Sequence, residues 1–406
     1  MTGFSFSLQS HFEQVASQQY QQVDCIGSFV YDLDALSSHL DTLVDQDVVK
    51  LWYAVKANPL SSVLQTIADK GINFDVASAG ELDHVLAQRV NADRILNTGP
   101  AKSKQQLSLF LDKGVNTFVV ESVNQLNWLE QLSEEKGYCP DVLLRVQLQW
   151  PDGEKNPLGG NTLTPFGLGC HEWSSIAAED YQHINICGLH IFQWGNMLSN
   201  EKMMSLWSQM VEPLMQLAKQ VGFTVKVLDL GGGFGVDYLG QGMTICWRTA
   251  LDDLATIKAQ AGVEEIWLEL GRFAVAECGY YLTSVVDKKS NFNEQQLVLA
   301  AGINHIIRPA ITEQPFPCRL LRQSDNSLQD FHVHGPLCTS LDKLGVLPLP
   351  EDTTIGDSLV FGCCGAYGFT ESMPFFLCHQ IANEYVISGD VLTEVRKAEP
   401  ATWYLR

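Results

Sequence analysis

Leu51-Trp52-Tyr53-Ala54-Val55-Lys56-Ala57-Asn58-Pro59 is the stretch on which the reading of this chain turns. Residues with an aromatic and β-branched bias run into one lysine, and Asn-Pro then stops the strand. Pro59 removes a backbone donor and biases Asn58 away from helical geometry, so the strand is expected to end within a residue or two of Lys56. A lysine at the end of a buried strand has two readings. Its ammonium snorkels past the strand end into water, or partial desolvation makes its amine a Schiff-base nucleophile. Lys56 by itself does not separate them.

Working outward, strand candidates recur at Asn73–Ala77, Arg94–Asn97, Thr117–Glu121, Val142–Gln147, Ile184–Phe192, Val225–Leu230 and Ile266–Leu270. Helical patterns at Ser61–Lys70, Ala79–Gln88, Gln105–Lys113 and Glu201–Val221 separate most of them. With the Lys56 strand, eight strands fall in roughly 220 residues, the count and span of a (β/α)8 TIM barrel. A doubly wound open sheet competes. The barrel is preferred because polar, chemically useful residues recur just past the strand C-termini. Before it, residues 1–26 begin with a helical pattern. Cys25–Asp32 reads as a short strand and Asp34–Leu40 as the start of a helix.

After Gly271 the pattern changes to short β segments at 280–286, 297–300, 318–321, 330–334 and 358–361, with no long helix until about Phe375. The expected organisation is α/β: a barrel over 27–272, and a β-rich, antiparallel domain from 1–26 and 273–406. Trp150–Thr164 reads as a turn-rich loop.

Composition narrows the function. Of 406 residues, 26 are Lys or Arg and 47 are Asp or Glu, a formal charge of −21. That argues against nucleic acid or an anionic membrane as partner, since both require a basic face. No apolar run approaches a bilayer span, and the N-terminal stretch shows no leader pattern. Eleven cysteines without a CxxC pair read as reduced thiols of a cytoplasmic protein. No metal site is expected.

Four constellations carry chemistry. Asp229-Leu230-Gly231-Gly232-Gly233-Phe234-Gly235 follows a strand, and consecutive glycines let backbone amides approach a phosphate; a plain tight turn is the alternative. Glu269-Leu270-Gly271-Arg272 sets a carboxylate near a guanidinium. The two could pair with each other, or serve a pyridinium and an anion. In Gly188-Leu189-His190-Ile191-Phe192-Gln193-Trp194, alternation puts His190, Phe192 and Trp194 on one strand face, able to cover a flat ring. The last is Gly335-Pro336-Leu337-Cys338-Thr339 with Gly365-Ala366-Tyr367, where a buried cysteine is ordinarily packing.

Together these motifs resemble the fold-type III pyridoxal-phosphate decarboxylases, which include ornithine, arginine and diaminopimelate decarboxylases. Tyr53–Asn58 is similar to the family's cofactor-lysine strand and Phe74–Leu82 to the strand and turn after it. Gly231–Gly235 is similar to its phosphate loop, and Glu269–Arg272 to Glu-Pro-Gly-Arg with Leu270 in place of proline. Gly302–Ala310 looks most like the diaminopimelate branch. The resemblance runs over nearly the whole chain, in order, and implies an alanine racemase-like barrel-plus-β fold. It implies a homodimer with active sites between subunits and Cys338 reaching across. By the same resemblance Lys56 binds pyridoxal phosphate covalently and Glu269 holds the ring nitrogen protonated. Gly231, Gly232, Gly233 and Gly235, with Arg272 and Tyr367, hold the phosphate end; His190 takes part in catalysis and Cys338 donates the proton to Cα.

Departures from the family pattern narrow the expectation further. Phe192 stands where the family usually has a second histidine stacked on the ring, so stacking survives without proton handling. Gln193-Trp194-Gly195-Asn196 replaces a small-residue turn that contributes a phosphate-binding serine. Thr339 follows Cys338 where the basic-amino-acid branches carry an acid that holds the substrate's distal amine. Leaving that ammonium unpaired costs about several kcal/mol. Arg308 and His305 supply cationic character instead, and with Arg272 and Thr339 form the expected substrate-binding set. The expected activity is decarboxylation of an amino-acid α-carboxylate on a substrate with a neutral or carboxylated distal end. Citryl–amino acids of siderophore assembly, on which some members of this family act, would suit. A diamino acid decarboxylase is the nearest alternative. A racemase, which in this architecture usually pairs the ring nitrogen with arginine, or a non-catalytic regulator is the alternative of another class.

Overall fold

The computed structural model describes residues 8–19, 27–150 and 163–405. The expected loop between Trp150 and Thr164 falls largely outside them, as does most of the N-terminal segment. Two compact units emerge: one comprises His39–Gly235 with Met243–Gly271, the other the described parts of Met1–Ser38, Val236–Gly242 and Arg272–Arg406.

The first strand, β1 (Ser28–Asp32), corrects the expected boundary. It pairs in the second unit, antiparallel with Gly279–Leu282 and parallel with Asn383–Ile387, so the segment from 28 is not a barrel element. Four buried residues in a row (Ser28–Tyr31) suit a strand covered on both faces, and periodicity cannot say which sheet covers it.

Eight parallel strands close the barrel of the first unit. They are β2 (Val49–Ala54), β3 (Asn73–Val76), β4 (Ile95–Asn97), β5 (Thr117–Val120), β6 (Asp141–Arg145), β7 (Asn185–His190), β8 (Val227–Asp229) and β9 (Glu265–Leu270). Closure is through β2 against β9. Helices Ala79–Ala87, Lys104–Asp112, Val123–Lys136 and Asn200–Val221 each begin at a serine (78, 103, 122, 199) whose hydroxyl accepts a backbone N–H of the first turn. Gly137, Gly222 and Gly262 close helices in the left-handed conformation. Local chemistry thus sets the βα rhythm.

In the second unit the sheet runs in the order β14-β13-β11-β10-β1-β16-β17, with β15 on β10 and β12 on β15. Here β10 is Gly279–Asn291, β11 Glu294–Leu299, β12 Cys318–Leu320 and β13 Leu328–His334. The remaining strands are β14 (Lys343–Pro350), β15 (Ser358–Phe361), β16 (Asn383–Ser388) and β17 (Val391–Arg396). The sheet is mixed rather than purely antiparallel, because β1 joins β16 and β11 joins β13 in parallel. Where helix was expected beyond Phe375, the described residues hold two 3-10 turns, Phe376–Cys378 and Ala401–Leu405, on either side of β16 and β17. No helix among the described residues is long and apolar enough to cross a membrane.

Candidate active site

The barrel interior is layered. Trp52, Leu96, Val119, Leu143, Cys187, Val227 and Trp267 form one buried apolar cluster drawn from seven of the eight strands. Two residues further along five of those strands stand Thr98, Glu121, Arg145, Asp229 and Glu269. Side chains alternate along a strand, so i and i+2 share a face. The polar set therefore forms the layer above the apolar floor, toward the C-terminal mouth where barrels carry their chemistry.

Lys56 sits on the 3-10 turn Val55–Ala57 immediately after β2. Its side chain is half exposed, and Nζ lies 3.1 Å from Oδ2 of the buried Asp75 on β3. The other Asp75 oxygen accepts from the Thr98 hydroxyl. Burial pushes the Asp75 carboxyl up, and Lys56 pulls against it. The ammonium is therefore fixed at the mouth by an acid, not left to snorkel freely.

Across the barrel, His190 ends β7 fully buried, with Nε2 3.1 Å from Glu269 Oε1. Burial raises the Glu269 carboxyl, but His190, then Lys56 and Arg145, outweigh it and hold it down at about 2. Burial likewise lowers the His190 imidazolium, and Glu269 and Asp229 more than compensate, so its proton is held more tightly than usual. Asp229 accepts the Gly231 N–H at 2.8 Å.

The glycine run is packed against backbone. A Cβ on Gly232 would lie 2.2 Å from the Glu269 carbonyl, on Gly233 2.5 Å from the Trp194 carbonyl, and on Gly235 2.6 Å from that of Met197. Gly231 and Gly233 also have φ of 63° and 93°. Phe192 lies over this run, its Cβ 2.7 Å from where a Gly231 Cβ would be. The expected common face of His190, Phe192 and Trp194 is not kept, because β7 ends at His190. Trp194 turns to Trp150, with ring centroids 4.5 Å apart. Gln193 is absorbed structurally: its Oε1 accepts from Leu148 N and Trp150 Nε1, and its amide donates to Leu148 O.

Sequence reasoning missed a further cluster. Arg145 and Glu121 form a buried ion pair at 2.9 Å, and the other Glu121 oxygen accepts Gly167 N–H at 2.7 Å. Lys102, 3% exposed, donates to the Gly99 carbonyl, and burial brings its ammonium down to about 8 against the pull of Glu121. The spacing from the apolar floor was the available signal for Glu121 and Arg145. Nothing local marked Lys102.

The second unit carries the other expected residues. Arg272 donates to the Tyr238 hydroxyl at 2.7 Å, and its guanidinium carbon is 4.9 Å from the Tyr367 ring. Arg308 stacks on the same ring at 4.4 Å and pairs with Glu371. Glu269 and Arg272 thus each have another partner, His190 and Tyr238, in place of the mutual pair that was one reading. Cys338 is exposed, and Thr339 accepts Leu341 N–H in a tight turn. His305 requires correction: it is fully buried, accepts from the Tyr281 hydroxyl and donates to the Gln380 carbonyl. Burial brings its imidazolium down to about 4. It is a neutral packing residue with no cation to offer a substrate.

A phosphorylated pyridine aldehyde would need an amine for its carbonyl, an anion for its ring nitrogen and unobstructed amides for its phosphate. Lys56, the ionised Glu269 and the amides of Gly232 and Gly233 meet these needs on adjoining barrel elements, while the Gly231 and Gly235 N–H groups are already donated to Asp229 and to the Met197 carbonyl. His190, Asp229 and Glu269 also offer ligand atoms within 4.8 Å of one another, as a metal site would. The His190–Glu269 contact accounts for that grouping without an ion. The fold and these residues thus define a barrel enzyme built for pyridoxal phosphate.

Comparison with known proteins gives the reaction class. The sequence pattern described as "Pyridoxal-dependent decarboxylase, pyridoxal binding domain" matches residues 33–276. The chain belongs to that family and is a pyridoxal-phosphate-dependent decarboxylase acting on a small amino-acid-type substrate. It is 28% identical over 387 residues to the 2-[(L-alanin-3-ylcarbamoyl)methyl]-2-hydroxybutanedioate decarboxylase of Staphylococcus aureus, covering 92% of this chain and 96% of that one. Identity to the diaminopimelate decarboxylase of Pseudomonas aeruginosa is 29% over 356 residues, 86% of this chain and 83% of that one. In fold it is similar to diaminopimelate decarboxylase from Helicobacter pylori complexed with L-lysine, with a TM-score of 0.84, 23% identity, and 96% and 98% of the two chains covered.

Proposed function

We propose that the chain removes the α-carboxylate of an amino acid whose far end is masked by a citrate-derived acid, as in carboxylate-type siderophore assembly. The observation that carries the reading is Thr339, a neutral residue beside the exposed Cys338. No acid there favours a distal ammonium. The name of the S. aureus relative describes such a compound: a hydroxybutanedioate joined through an amide to C3 of alanine.

Pyridoxal phosphate, when bound, supplies an electron sink for the pair released as CO2 leaves. The rest falls to the chain. Lys56 offers the amine, and Asp75 keeps it at the mouth of the barrel. Glu269, held ionised by His190, would accept the ring N–H and stabilise positive charge there. Phe192 presents an apolar surface that moves no proton. The amides of Gly232 and Gly233 would hold the phosphate end, with Arg272 and Tyr367. Arg308 meets the added carboxylates. Cys338, reaching from the second subunit of a homodimer, returns a proton to Cα.

The test is CO2 release from a panel containing free ornithine, lysine, diaminopimelate and citryl amides of 2,3-diaminopropionate. The citryl amide is expected to give the highest kcat/KM. A wide preference for diaminopimelate would reject this substrate class. Borohydride reduction with a peptide map on Lys56 checks the cofactor site separately.

A further inference from the structure

Asp229 has no part in the scheme above, yet it is the best-buried acid of the site. Its relative exposure is zero; one oxygen is committed to Gly231 N–H, and Oδ2 has no hydrogen-bond partner. An unpaired carboxylate oxygen in the interior is costly and calls for a role. The immediate neighbours supply one. Asp229 pairs in register with His190 across β7 and β8. Its carboxylate, the His190 ring nitrogen and the Glu269 carboxylate lie within 4.8 Å of one another. The loop it anchors is laced to β9, since Glu269 N donates to Gly231 O at 2.7 Å.

We propose that Asp229 is a positioning residue. It ties the glycine loop to the His190–Glu269 pair and, as a second anion beside the imidazole, keeps the proton on His190.

The physical argument is one of shared charge. Two carboxylates close together in a buried place resist joint ionisation. An imidazolium between them relieves the repulsion, and the outcome is a division of labour. Burial and then Glu269 push the Asp229 carboxyl up to about 7 against the pull of His190, so Asp229 is the second anion above that pH, while Glu269 stays ionised. The other charged groups facing the cluster include Arg145 from β6, Asp75 from β3, Lys56 beyond β2 and the buried Lys102 beyond β4. Arg145 opposes the imidazolium, which makes the second anion useful. Glu269 can thus serve a ring nitrogen with its full charge because the imidazolium facing it is kept protonated with the help of Asp229.

The inference rests on assigning Glu269 to the cofactor ring, and the experiment separates the two. Asp229→Asn keeps an acceptor for Gly231 N–H but removes the charge; Asp229→Ala removes both. The His190 imidazole is titrated by NMR in holoenzyme and cofactor-free protein, and pyridoxal phosphate affinity is measured by fluorescence quenching. In both variants the His190 midpoint should fall by about 1 unit or more, the effect of losing one nearby opposite charge. Affinity should fall about tenfold in the alanine variant and by less than about threefold in the asparagine one. An unchanged His190 midpoint in Asp229→Asn would overturn the electrostatic role. Equal affinities in the two variants would overturn the loop tie. Failure of wild-type protein to bind pyridoxal phosphate would instead reject the cofactor assignment, and the His190 titration of the cofactor-free protein still decides the role of Asp229. Should the alanine variant not fold, the asparagine titration still decides.

Discussion

Glu371 holds the guanidinium of Arg308 at two points, with Nε 2.8 Å from Oε2 and Nη2 3.0 Å from Oε1. A two-point carboxylate pair is the arrangement a substrate carboxylate would itself adopt. Arg308 is therefore pre-oriented, by stacking on Tyr367 and by Glu371, and an incoming carboxylate has to compete for it.

Glu371→Gln removes the competitor and leaves the stacking. KM for a citryl amide should fall by about threefold to fivefold, the worth of a partly exposed ion pair of up to about 1 kcal/mol. KM for lysine, which has no distal carboxylate, should not change. A parallel shift for both substrates would mean that Arg308 does not read the distal end.

Glu121→Gln tests the buried pair that holds the top of β6. The amide cannot balance Arg145, and an uncompensated buried charge costs about 3–5 kcal/mol. The melting temperature should fall by about 6 °C or more. Asp112→Asn, which breaks the exposed pair with Lys136, should alter stability by at most about 1 kcal/mol. Comparable losses from the two would refute the burial argument.

The floor of the barrel was legible because strands of three to six residues carry mostly apolar side chains between helices, most of them serine-capped, and both signals are local. The site was legible where one residue type has few other uses: a lysine before Asn-Pro, or a run of glycines after a strand. Asp75, Glu121, Arg145 and Asp229 were passed over because an acid or arginine at a strand end reads equally well as a solvated terminus. Only barrel closure shows that they point into a common interior. His305 misled for the converse reason: a polar residue in a motif rich in isoleucine is a buried hydrogen-bonding group, and its two partners, Tyr281 and Gln380, lie 24 and 75 residues away. Strand β1 was misassigned because parallel pairing with β16 joins residues on opposite sides of the whole barrel in sequence.

Asp229 also governs how stability depends on pH. Its carboxyl is raised in the folded chain from 3.8 to about 7, so the folded protein keeps a proton that the unfolded chain releases. That contribution is fully present below pH 3.8 and is lost as pH rises through 7. The cofactor-free Asp229→Asn variant should therefore gain on wild type in thermal stability between pH 4 and 8. The gain should be at least about 2 °C, the equivalent of roughly 1 kcal/mol. A constant difference across the range would place the proton elsewhere.

Shared active sites can be tested by complementation. Lys56→Ala and Cys338→Ala chains, each inactive alone, should regain activity when mixed and allowed to exchange subunits. Random pairing leaves about a quarter of all sites with both residues intact, which sets the ceiling for recovery. Exchange without recovery would show that Cys338 acts within its own chain, and a Cys338→Ala chain active on its own would show that it is dispensable.

Thr339→Asp addresses substrate choice directly. The threonine hydroxyl accepts Leu341 N–H at 3.3 Å, and an aspartate oxygen can take the same bond, so the turn is expected to survive. The new carboxylate would pair with a distal ammonium and repel the carboxylates of a citryl amide. The ratio of kcat/KM for ornithine over the citryl amide should rise by about two orders of magnitude, since a charge partner gained on one substrate and a repulsion added on the other amount to a few kcal/mol. Most of the change should appear in KM for the citryl amide, because repulsion acts on bound substrate and transition state alike. A variant that loses activity equally on both substrates would place Thr339 in the common machinery. An unchanged ratio would place the distal end of the substrate away from this turn, and some other acid or base of the chain would have to set the selectivity.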